Sequence, residues 1–177
     1  MKLDLRKDQK TVRKYIEKRI RDYPIYENLG PGNDEDPIRL ITLGFYAEQG
    51  GYVNLVFDTR PKADVDGEWT LHVDNETNTC PFPKWLDCYT AVCESEDVTI
   101  TRHDGVKVQI TNNEISDEDL NLHFGEMLLA TMLELRENSS FGKLPIAKNA
   151  FFVIEEFDGR YFWPTYKTRK SKGRIQP

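Results

Sequence analysis

The stretch "IRLITLGFYAEQGGYVNLVFDTR", residues 38–60, decides the fold. Ile41, Leu43, Phe45 and Ala47 fall on alternate positions, and so do Val53, Leu55 and Phe57. Side chains of a strand point to opposite faces with a period of two, so each set lines one face of its own strand. A three-residue loop, Gln49-Gly50-Gly51, sets Ala47 opposite Val53 and Phe45 opposite Leu55, and its glycines supply the positive φ such a loop requires. Leu40, Tyr46, Tyr52 and Val56 make the second face partly apolar as well. The reading is a β-hairpin at the centre of a sheet covered on both sides.

The flanking chain supplies the covers. "DQKTVRKYIEKRIRDYP", residues 8–24, places Val12, Tyr15, Ile16 and Ile20 at helical spacing, with Pro24 as a stop. "PKWLDCYTAVC" predicts a short helix from Pro83, and "EWTLHV" a short strand before it. In "VTITRHDGVKVQI" a three-residue loop, His103-Asp104-Gly105, aligns Val98 and Ile100 with Ile110 and Val108. A two-residue turn would instead oppose Ile100 to Gln109. "SDEDLNLHFGEMLLATMLELRENSS" is a long helix with Leu120, Phe124, Met127, Leu128, Thr131 and Leu135 along one face. Its start is marked by Ser116 with Asp119 and an acidic first turn. "NAFFVIEEFDGRYFWPTY" gives two last strands joined at Asp158-Gly159.

This order predicts an α+β protein: a single domain over residues 1–166, with a mainly antiparallel sheet, an N-terminal helix and one long helix packed on it. Residues 167–177, "KTRKSKGRIQP", are basic and without apolar anchors, and read as a mobile tail.

Charge is distributed unevenly. The net charge is −6, yet residues 1–22 hold nine Lys or Arg and four Asp or Glu, and residues 160–177 hold six basic residues and no acid. The span 23–159 therefore carries −17, from nine basic and 26 acidic residues. Such a middle repels nucleic-acid phosphate and attracts a basic protein partner. No apolar run reaches the roughly 18 residues of a membrane span, and the start "MKLDLRKDQK" lacks a secretory signal's apolar stretch. Three cysteines make a poor disulfide framework, so the expected compartment is the cytoplasm.

Known chemical motifs fail one by one. Cys80, Cys88 and Cys93 lack the close pairs of a zinc site and are expected to be buried thiols. "DVDG" resembles a fragment of a calcium loop, but with Gly67 at the sixth position the first and twelfth would be Lys62 and Val73. There is no G-x-S-x-G elbow and no phosphate-cradling glycine loop. His123 and Glu126, three apart on the long helix, read as a surface pair. Neither a metal nor a cofactor is expected, and no catalytic residue is assigned.

What remains is the exit from the hairpin, "DTRPKADVDGEW", residues 58–69. Asp58 and Arg60 read either as a clamp, with Pro61 holding Arg60 extended, or as the start of a partner-binding lip. Asp64, Asp66 and Glu68 with Trp69 as an apolar anchor would form that lip.

The strand "YVNLVFDTRPKADVDGEW", the long helix after it and "LPIAKNAFFVIEEFDGRYFWP" together resemble small bacterial domains among the immunity proteins of polymorphic toxin systems. The resemblance covers residues 38–166. It implies a compact α+β protein that binds and blocks a cognate toxin and catalyses nothing. The favoured reading is accordingly a non-enzymatic binding protein with an acidic surface for a basic partner. Two others stand beside it: a small enzyme using carboxylate chemistry around Asp58 and Glu68 or around His123 and Glu126, and a nucleic-acid module using the basic ends, residues 1–22 and 160–174. The oligomeric state is left open.

Overall fold

Asp4 closes a strand and opens a helix. In the computed structural model, which describes residues 1–23, 37–47, 51–59, 79–94, 96–110, 117–156 and 162–164, β1 (Lys2–Asp4) runs directly into α1 (Leu5–Arg21). The Asp4 carboxylate accepts the Arg6 backbone N–H at 3.2 Å, satisfying one of the free donors at the helix start. The remaining elements are β2 (Ile38–Tyr46), β3 (Tyr52–Asp58), β4 (Thr79–Pro81), α2 (Pro83–Cys93), β5 (Val98–Thr101), β6 (Lys107–Ile110), α3 (Asp117–Glu137), β7 (Ile146–Glu156) and β8 (Phe162–Pro164).

The protein is α+β, and its strands form two mixed sheets where one was expected. A three-stranded sheet has the order β1-β5-β6, and a five-stranded sheet the order β4-β3-β2-β7-β8. Four of the six pairings among the described residues are antiparallel; β1 with β5 and β2 with β7 are parallel. As the alternation on both faces required, β2 is the middle strand of five, and seven of its nine residues are buried.

The first hairpin departs from the expected register by two residues. Phe45 lies opposite Val53 and Leu43 opposite Leu55, so the connection runs from Ala47 to Gly51. An even shift leaves every side chain on its expected face, which is why the core assignment survives it. Gly51 takes φ +57, and a Cβ there would collide with the backbone carbonyl of Phe82. The second hairpin keeps the three-residue loop: Val98 pairs with Ile110 and Ile100 with Val108, with Gly105 at φ +87.

One face of the large sheet packs under the helices. Ile41, Leu43, Phe45, Val53, Leu55, Phe152 and Ile154 join Val12, Ile16 and Ile20 of α1 and the apolar face of α3 in one core. All six α3 positions picked out by spacing are fully buried, together with Asn121 and Met132. Trp85 of α2 is sandwiched between Phe82 and Phe124, with ring centroids at 4.6 and 4.1 Å. Its indole N–H donates to Asp8 Oδ2 at 2.8 Å, tying α2 to α1.

β4 is short, and it pairs only with Tyr52 to Asn54 of β3. Beyond it the edge of β3 is met by α1: the Tyr15 hydroxyl accepts the Leu55 N–H at 2.8 Å, and Arg19 Nη2 donates to the Leu55 carbonyl at 3.4 Å.

Candidate functional site

Of the residues singled out after the hairpin, Asp58 alone lies among those described. Arg60, Asp64, Asp66, Glu68 and Trp69 lie outside them, as do "EWTLHV", the Asp158-Gly159 turn and the tail from residue 167. Asp58 is the last residue of β3, opposite Leu40, and only 4% exposed. A carboxylate so enclosed offers little surface to an incoming protein, and the clamp's other member, Arg60, lies outside the described residues.

The acidic surface that the described residues do carry is at the outer side of α2. Asp87 and Glu94 are seven apart and so share a helix face, and Glu96 and Asp97 follow at once; all four are exposed. None forms an ion pair among the described residues. Leu86 is exposed beside them. Asp97 accepts a long 3.5 Å bond from Gln109 Nε2.

A groove of about 510 Å³ opens between the N-terminal half of α1, the β5–β6 loop and α3. Its walls hold Arg6, Lys7, Lys10 and Arg13, with His103 from the loop, Glu134 from α3 and Asp4 at the helix start. Arg6 grips the Asp4 carboxylate through Nε at 2.9 Å and Nη2 at 2.8 Å, which holds that carboxyl down at about 2. Arg13 binds Glu17 at 3.0 Å and also reaches Glu134, joining α1 to α3.

Next to the groove, His123 Nδ1 stands 3.4 Å from Glu126 Oε2, and Arg102 Nη2 contacts the same oxygen at 3.5 Å and Asp104 at 3.2 Å. The pair expected from spacing is therefore real, and Arg102 anchors it to the β5–β6 loop. The loop is set locally: Asp104 accepts the Val106 N–H at 3.0 Å, and this bond is the main cause of its lowered pKa.

The thiols divide. Cys80 and Cys88 are buried, and burial pushes each up to about 11, where neither is a nucleophile at neutral pH. Cys93, expected to be buried, is exposed near the end of α2. Among the described residues no three His, Cys, Asp or Glu side chains are gathered as a metal site would need. Half-buried Glu155 and buried Glu156 escaped the sequence reading. Desolvation, then the charge of Glu156, raises Glu155 to about 7.

No family model fits this chain, and no curated protein or solved structure is significantly similar. No helix among the described residues is long and apolar enough to cross a membrane.

Proposed function

We propose that this is a non-enzymatic cytoplasmic binding protein that holds a basic protein partner, in the manner of an immunity protein blocking a cationic toxin domain. The observation that carries the reading is the set of exposed carboxylates Asp87, Glu94, Glu96 and Asp97, with exposed Leu86 next to Asp87 in the chain. Exposed carboxylates that form no side-chain ion pair project their field into solvent, and the N-terminal ammonium, which donates to the Asp97 carbonyl, offsets it only in part. Complementary charge then speeds encounter with a basic surface, and an exposed apolar side chain beside it can add contact area to the docked complex. The −17 of residues 23–159 adds long-range attraction of the same sign.

The enzyme reading has less support. The described His123 and Glu126 are tied to Arg102; of the other pair expected to do carboxylate chemistry, Asp58 is buried and Glu68 lies outside the described residues.

Affinity capture from the native cell with the full chain, read by mass spectrometry, tests the proposal. The expected partner is a basic protein whose retention falls steeply as salt shortens the Debye length from about 30 Å to below about 10 Å. The triple variant Asp87→Lys, Glu94→Lys, Glu96→Lys should lose it at low salt. Capture of neutral or acidic proteins alone, or retention by the triple variant, overturns the reading.

A further inference from the structure

Helix α1 carries a charge arrangement that helices ordinarily avoid. Lys7, Lys10 and Lys14 follow at steps of three and four, so each faces a like charge on the next turn. Arg6 and Lys7 lie in the first turn, against the positive end of the helix dipole. Further along, the same helix follows the usual rule: Arg13 meets Glu17 and Lys18 meets Asp22, each four residues on. Lys7 and Lys10 form no ion pair among the described residues.

Both lysines stand on the wall of the groove. Its lining sets four Lys or Arg against two carboxylates, a surplus of two positive charges in a chain whose net charge is −6. His103 borders the same space, and its Nδ1 is buried with no hydrogen-bond partner among the described residues. An unmade bond of this kind is unfavourable until a partner meets it. No Phe, Tyr or Trp is among the described lining residues, so bases or rings have nothing to stack on.

We propose that this groove binds a small polyphosphate anion. A volume of about 510 Å³ lies within the usual range of small-ligand sites. Several phosphate oxygens on one compact ion can engage Lys7 and Lys10 together and share the guanidinium edges of Arg6 and Arg13. A nucleic-acid strand is a poorer fit. Beyond the groove Lys18 and Arg21 are both held by Asp22, at 3.3 and 3.5 Å, which weakens the positive field a long strand would follow. The groove and the acidic corner share no residue, so either proposal can fail alone.

The test is titration calorimetry of the full chain with sodium tripolyphosphate at low ionic strength. One ion should bind per chain, and Lys7→Gln with Lys10→Gln should weaken it by at least about tenfold, as two lost charge-assisted contacts imply. Lys18→Gln with Arg21→Gln, on the same helix but outside the groove, should change affinity by less than about twofold, because exposed, already paired charges contribute little. All four side chains are exposed, so the variants keep the fold. Absence of binding overturns the proposal. Equal losses in the two double variants, or tighter binding of a short single-stranded oligonucleotide than of tripolyphosphate, overturn it in favour of diffuse attraction along the helix.

Discussion

The Tyr15 hydroxyl and the Arg19 guanidinium take up the N–H and carbonyl of Leu55, which a longer β4 would otherwise have paired. Replacing Tyr15 with Phe keeps the ring and removes the acceptor, leaving a half-buried backbone donor without a partner. Tyr15→Phe should therefore lower stability by about 1–3 kcal/mol in urea unfolding, with no change of slope. Little of this was readable beforehand. Spacing placed Tyr15 on the packed side of α1, but nothing local revealed that its hydroxyl would serve an edge 40 residues away. Asp58 teaches the same lesson from the other side. Its position at a strand end is plain in the sequence, whereas its burial depends on what lies over that face.

Elements announced by their own residues were found where expected. Pro83 begins α2 because its fixed φ suits a first turn, and the apolar stripe of α3 needs only helical geometry to be recognised. β1 and β4 were missed because three-residue strands carry no periodicity of their own. The first hairpin was misjudged by two residues because its loop also has to meet Phe82, a contact from a different element. That contact makes Gly51 demanding twice over, by a positive φ and by an approach that leaves no room for a Cβ. Gly51→Ala should cost about 2–4 kcal/mol, seen as a lowered melting temperature, whereas Gly105→Ala, with open space around its Cβ, should cost about 1 kcal/mol. The groove was illegible for a plainer reason: Lys7, His103 and Glu134 meet only through the tertiary fold. The run of like charges at residues 7, 10 and 14 was its one visible sign.

Across the whole molecule, pH acts on stability through Glu155. Burial, with the charge of Glu156 next, raises its pKa from an ordinary 4.5 to about 7. The folded state thus holds this proton more tightly than the unfolded chain. The contribution is fully present below about pH 4.5 and is lost as pH rises through 7. Glu155→Gln should remove that slope and raise stability at pH 8 by about 1–3 kcal/mol, the range a shift of this size allows for a partly enclosed group. A stability–pH profile of the variant that still declines between those values would assign the loss to another group.

Both sheets are closed by parallel pairings between distant segments: Lys2 with Thr99, and Ile41 with Phe152. On a ribosome the strand beginning at Ile38 must therefore wait for more than a hundred further residues before its second neighbour exists, exposing a row of unpaired backbone groups meanwhile. Nascent chains stopped short of β7 should aggregate, and the burden of keeping them apart falls on chaperones until synthesis has passed Glu156.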